Sequence, residues 1–187
     1  MMMLERKFTR FNNSLSVEGE VTISGYASLF HQADQGGDRV MPGAFADSLK
    51  RLAVEARAVK MLWQHDPAQP IGLWEEIYED ARGLWVKGRL LPEVSRAREA
   101  QALIAAGAID GLSIGYRTEK AAKNPTGGRA LHQLDLWEVS LVTFPMLPTA
   151  RLQPAALQEK AQSDARDWRD LTAALRNATE LIRKPGA

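Results

Sequence analysis

Apolar residues along this chain change period several times, and each change marks an element. Residues 17–30 are rich in β-branched and aromatic side chains and read as one or two strands. Residues 31–39 are dense in turn formers, and Pro42-Gly43 punctuates the chain again. From Ala44 the spacing becomes helical, with Phe45, Leu49, Leu52 and Ala56 on one side, so a helix is expected over residues 44–55. Residues 59–65 alternate: Val59, Met61, Trp63 and His65 share one face, and Lys60, Leu62 and Gln64 the other. Asp66-Pro67 is expected to end that strand, because Pro has no N–H to give a ladder. Residues 70–79 and 83–91 read as two more strands around a polar turn. Ser95 is the expected cap of a helix over residues 96–106, stopped by Gly107. Residues 112–118 and 131–144 are strand-like, with a glycine loop at 124–128 between them. Beyond Pro148 the pattern fades. Trp168, Leu171, Leu175, Ala178 and Ile182 then trace an amphipathic helix over 164–183. The succession predicts a mainly β domain with flanking helices (α+β) over residues 1–150, and a linker with a helical tail over 151–187.

Composition narrows the chemistry. At 187 residues the chain is sized for one domain and can bury roughly 70% of its unfolded surface. With Cys 0, it has no disulfide framework, no Cys-based zinc or iron–sulfur site and no thiol nucleophile. Lys+Arg 24 against Asp+Glu 23 gives a net charge of +1, which argues against nucleic acid as a partner. No apolar run approaches the roughly 18 residues of a membrane span, and the polar start is unlike a signal peptide. Histidine is the scarce titratable resource: His31, His65 and His132. His31 could be drawn with Asp34 and Asp38 as a metal site, but no second histidine stands at ligand spacing, so neither metal nor cofactor is expected. His132 reads as a solvated surface residue.

Three residues stand out. Ser113 lies in Gly111-Leu112-Ser113-Ile114-Gly115, a G-x-S-x-G string. Alternation turns it away from Leu112, Ile114 and Tyr116, but an ordinary outward polar residue between turn glycines fits the same spacing. His65 is expected at a strand end beside a turn, where functional side chains often sit and solvated histidines do too. Glu138 lies within an apolar strand. The even positions Leu134, Leu136, Glu138, Ser140 and Val142 share one face, and Trp137, Val139 and Leu141 the other. It is either an edge-strand guard facing water or a carboxylate in need of a buried partner. Together the three make chemical sense: a serine hydroxyl needs a base, histidine has a suitable pKa, and a carboxylate can orient the imidazole.

Six blocks occurring in order carry a family resemblance. They are Gly25-Tyr26-Ala27-Ser28-Leu29-Phe30, Asp38-Arg39-Val40-Met41-Pro42-Gly43-Ala44-Phe45, Met61-Leu62-Trp63-Gln64-His65-Asp66, Pro70-Ile71-Gly72, Gly111-Leu112-Ser113-Ile114-Gly115-Tyr116, and the run from Trp137-Glu138-Val139-Ser140 to Phe144-Pro145. Over residues 20–150 the chain resembles the prohead (capsid maturation) serine proteases of HK97-type tailed phages, which are similar to the herpesvirus assemblin proteases. The resemblance implies a closed β-barrel with surrounding helices, Ser113 as nucleophile, His65 as base and Glu138 as third member. In the herpesvirus branch the third member is a histidine, so Glu138 is a departure. No Arg-Arg pair follows it here, which leaves backbone N–H groups after Phe144 as the expected oxyanion donors. The implied partners are the major capsid protein with its scaffold segment and a second copy of the chain. The implied place of action is the immature capsid in the host cytoplasm. The competing expectations are a non-catalytic capsid-assembly module and a serine esterase. The esterase would need a doubly wound sheet and a histidine after the acid.

Overall fold

The computed structural model describes residues 21–124 and 127–153. Along them run β1 (Thr22–Leu29), β2 (Arg39–Val40), α1 (Ala46–Val54), β3 (Lys60–Trp63), β4 (Asp66–Glu79), β5 (Gly83–Leu90), α2 (Ser95–Ala105), β6 (Gly111–Lys123) and β7 (Arg129–Val142). The protein is mainly β with few helices, as the patterning predicts. Among the described residues no helix is long and apolar enough to cross a membrane. The amphipathic helix expected over 164–183 lies outside the described residues.

The ladder runs β1, β5, β4, β3 by antiparallel pairing. It then passes to β7 through a parallel pairing with β3, and to β6 through a long antiparallel hairpin. The short β2 joins the start of β7 in parallel. The sheet curls so strongly that its end strands, β1 and β6, approach each other. Arg151 and Leu152 span the gap through isolated bridges, Leu152 to Gly25 and Arg151 to Gly111. The result is an open half-barrel, because among the described residues β1 and β6 share no ladder of their own. Of the closed barrel expected from the resemblance, the pairing supports the curled, partly bridged sheet only.

The inner face of the curl holds Met61, Ile71, Leu84, Val86, Leu112, Leu134, Leu136, Val139 and Leu141, all at 1% exposure or less. β7 is the hub. It lies between β3 and β6, and the buried Trp74 indole N–H donates to its Val139 carbonyl at 3.1 Å. α1 is pinned to the far half of the same strand. Its Ser48 Oγ accepts the Leu136 N–H at 2.9 Å, while Phe45 and Leu52 pack inward. α2 lies close to the sheet on two small buried residues, Ala97 and Ala100.

Several expected boundaries move for identifiable reasons. β3 stops at Trp63, and β4 starts at Asp66 and carries both Pro67 and Pro70. Pro is tolerated there because the β3–β4 register shifts between Leu62 and Trp63 and β5 joins β4 only from Gly72. The cap of α2 is extended Val94, whose carbonyl accepts from Ala97 and Arg98, so Ser95 is already helical. β6 runs on to Lys123 through exposed polar residues that show no apolar alternation. β7 ends at Val142, and Phe144 is left 86% exposed.

The bridge by Arg151 and Leu152 depends on Gly25, where any Cβ would strike the Arg151 carbonyl oxygen and touch the Leu152 Cα. Gly25→Ala should therefore destabilise the fold by about 1–3 kcal/mol through overpacking against backbone. Urea unfolding followed by tryptophan fluorescence measures this, and an unchanged midpoint would mean that the bridge carries no stability.

Candidate active site

Glu138 sits mid-strand in β7 with β3 on one side and β6 on the other, and it is 8% exposed. This is no edge guard. A carboxylate placed there must be hydrogen-bonded or it costs several kcal/mol, on the order of an unpaired buried charge. Both of its oxygens are engaged. Oε1 meets His65 Nδ1 at 2.6 Å, and Oε2 accepts the Ser140 hydroxyl at 2.6 Å. Ser140 is fully buried, and its Oγ also accepts the His65 backbone N–H at 3.1 Å. Ser140 therefore fixes the acid and the backbone of the histidine together.

The histidine reaches this partner because of a turn, which alternation along the strand does not reveal. Trp63 pairs with Asp66, so Gln64 and His65 form a two-residue hairpin turn, and both are left-handed at φ 52° and 62°. Such turns favour Asn-Gly, and a non-glycine residue held left-handed costs on the order of 1–3 kcal/mol. Local bonds hold the strain. The Gln64 N–H donates to the Leu141 carbonyl at 2.9 Å, and the Gln64 side-chain amide donates to Thr143 Oγ1 at 2.9 Å. Expected beside Val59, Met61 and Trp63, His65 is instead carried by the turn to Glu138 and Ser140. Those residues lie in register with Lys60 and Leu62, on the opposite face of β3.

Ser113 arrives from β6. It pairs directly with Ser140, and Gly115 pairs with Glu138. Directly opposed residues on one face have Cβ atoms roughly 4.5–5.5 Å apart, so Ser113 lies one row from the carboxylate on the same face. It is 6% exposed, and its hydroxyl has no hydrogen-bond partner among the described residues. Gly115 is what lets Glu138 lie over β6, because a Cβ there would run into the carboxylate. The G-x-S-x-G string opens β6, and β6 leads directly into β7, so the strand–turn–helix elbow of a doubly wound esterase is not formed.

The structure thus brings His65, Ser113 and Glu138 together. Sequence reasoning missed Ser140, Gly115, Gln64 and Thr143. Ser140 already shares the even face with Glu138, and that was a readable signal. The other histidines lie apart from this cluster. His31 is exposed on the loop before β2, and His132 is exposed on β7. Asp34 accepts backbone N–H groups of its own loop, and Asp38 is bound by Arg129. Among the described residues no group of three or more His, Asp or Glu could hold a metal ion.

The hydrogen bond to Glu138 raises the His65 pKa above the usual imidazole value, against the opposing effect of partial burial, and the carboxylate charge adds to the rise. Folding thus favours the charged imidazole. That stabilising contribution is full below the unfolded histidine pKa and is lost as pH rises through the folded value. With Nδ1–H turned to Glu138, Nε2 is the free acceptor.

An imidazole held by a carboxylate, with a buried serine hydroxyl one ladder row from that carboxylate, is the donor–acceptor set of serine hydrolases. The chain belongs to the family of caudovirus prohead serine proteases, whose family model matches residues 9–165. It is 36% identical over 126 residues to the prohead protease of Enterobacteria phage HK97, spanning 66% of this chain and 55% of that protein's length. In fold it is similar to the bacteriophage T4 capsid assembly protease, with a TM-score of 0.56 at 16% identity over 70% of this chain and 87% of that one. The varicella-zoster virus protease aligns with a TM-score of 0.45 at 15% identity over 72% of this chain and 64% of that one.

Two outcomes test the geometry. In Glu138→Gln the acid limb of kcat/KM against pH should move to lower pH, because the group that raises the His65 pKa is gone. The plateau should fall by up to about 10,000-fold, the loss expected when the carboxylate that orients a histidine becomes an amide. An unmoved limb would show that Glu138 does not tune the His65 imidazole. Gly115→Ala should push the carboxylate off His65 and lower kcat on the order of 100-fold, as small misplacements do. Circular dichroism should confirm that the sheet is kept, and wild-type kcat would mean that the carboxylate can shift without consequence.

Proposed function

We propose that this protein is a serine endopeptidase that cuts the scaffold segment from the major capsid protein, and also cuts itself, inside the immature capsid in the host cytoplasm. The observation that carries the reading is the 2.6 Å bond between His65 Nδ1 and Glu138 Oε1, made one row from the buried Ser113. Family membership supplies the biological setting.

In this reading Ser113 is the nucleophile, His65 the general base and Glu138 the orienting carboxylate. Nε2 of His65 takes the Ser113 hydroxyl proton as Oγ attacks the scissile carbonyl carbon. The imidazolium, steadied by Glu138, then gives that proton to the leaving amine and an acyl-enzyme remains. Water repeats the sequence through the same base and releases the acid product. The oxyanion is met by the backbone N–H groups of Met146 and Leu147. Both residues line the pocket that Ser113 lines, and neither N–H has a partner among the described residues. An extended substrate lies along the free edge of β6, continuing the pairing begun by Arg151 and Leu152 and completing the barrel that the bare sheet leaves open. Assembly as two copies belongs to the same reading, on the analogy with the herpesvirus enzymes.

Co-expression with the cognate capsid protein tests this. The wild type should release the scaffold fragment, read by intact mass, and Ser113→Ala should leave the capsid protein whole. Identical uncut capsid protein in both samples would favour the non-catalytic assembly module.

A further inference from the structure

Ser113 opens onto a pocket of about 180 Å³ in the seam between β1 and β6. Its walls are mostly apolar, with Leu29, Val40, Ile114 and Met146 among them, and no lysine or arginine lines it. Two carboxylates do, Asp34 and Asp38. Asp38 is committed, since its oxygens accept from the Arg129 backbone N–H at 2.9 Å and from the Arg129 guanidinium. Asp34 is only half committed. Its Oδ1 accepts the Gly36 and Asp38 N–H groups at 2.8 and 2.9 Å, while Oδ2 has no partner among the described residues. Two carboxylates thus face one cation, Arg129, which is bonded to Asp38 and also feels the charge of Asp34, so an otherwise oily wall keeps a net negative charge. Tyr116, half-buried beside it, responds to the same field: burial pushes its phenol pKa up, and Asp34 and Asp38 push it further against the opposing charge of Arg129. The seam also holds Ser113, a polar side chain more than nine-tenths buried with its hydroxyl unpartnered.

We infer that this pocket is the specificity subsite for the substrate residue preceding the scissile bond, and that it selects lysine or arginine. The methylene stem lies on Leu29, Ile114 and Met146, and the cationic head meets Asp34 Oδ2. The inference rests on the peptidase reading above and adds the chemical class of side chain that the site accepts.

The test uses the full chain and peptides spanning the bond cut in the capsid protein. They differ only in the residue before that bond: lysine, norleucine or glutamate. Norleucine keeps the stem and removes the charge. Wild type should cleave the lysine peptide about tenfold faster in kcat/KM than the norleucine peptide, the size of one charge-assisted contact, with glutamate slowest. Asp34→Asn keeps the Oδ1 acceptor that shapes the loop and should bring the lysine-to-norleucine ratio close to one by slowing the lysine peptide. Equal cleavage of lysine and norleucine by wild type, or a ratio unchanged in Asp34→Asn, would overturn the inference. Labelling of Ser113 by a fluorophosphonate separates the two levels. Labelled enzyme that shows no charge preference sinks the subsite alone. Enzyme that neither labels nor cuts its capsid protein sinks the peptidase reading and the subsite with it.

Discussion

The burial of Glu138 in the hub strand governs the arrangement around it. A carboxylate between two neighbouring strands has no water to solvate it, so the surrounding residues must supply every hydrogen bond. Three consequences follow, and each uses a different strand. β7 itself supplies Ser140 two residues on, where the period of two brings it to the same face. β6 supplies Gly115, an absence of side chain that makes room for the carboxylate. The turn from β3 to β4 supplies His65, and takes on strained dihedrals to do so. Remove the carboxylate and none of these three features has a reason to be there.

The open sheet explains why the cluster lies where it does. A curled sheet that does not close leaves two strand edges, and unpaired edges are hazards that folds normally cover. Here Ala150, Arg151 and Leu152 cover the edge of β6 only at its start, where Ala150 accepts the Leu112 N–H. From Ser113 onward the edge faces the pocket. Ser113, the proposed nucleophile, and the free edge thus coincide. A substrate can take up the ladder where the protein's own chain leaves it, without any rearrangement of the core.

Much of this was legible in the sequence, and what was not legible has common causes. The strands and helices were readable because one face of each is apolar, and Ser113, His65 and Glu138 because polar residues of those types stood out against that pattern. The side of the sheet that His65 serves was not readable. Alternation assumes that β geometry continues, and two left-handed residues break it with no glycine or asparagine to announce the turn. Glu138 was ambiguous because strand order decides whether a residue is at an edge or in the middle, and long-range pairing such as that of β3 with β7 leaves no local trace. Gly115 reads in the sequence as a turn glycine beside Ser113, whereas its role is set by Glu138 on another strand.

Burial is graded across the cluster, and the grading suits its chemistry. Glu138 has an 11% exposed side chain and His65 a 42% exposed one. The carboxylate is therefore shielded from competing water, where its charge acts most strongly on the imidazole. The imidazole spans from that shielded region to the open side, where the proposed reaction moves a proton. A histidine placed in regular strand geometry would point straight off the sheet, and its ring could not both reach back to a buried partner and stay accessible. The left-handed turn resolves this conflict. It costs backbone strain, which the bonds from Gln64 to Leu141 and Thr143 and from His65 to Ser140 offset. It follows that stability and activity are coupled at this turn: any substitution that relaxes the two residues toward ordinary β geometry would relieve strain while withdrawing the imidazole from the carboxylate.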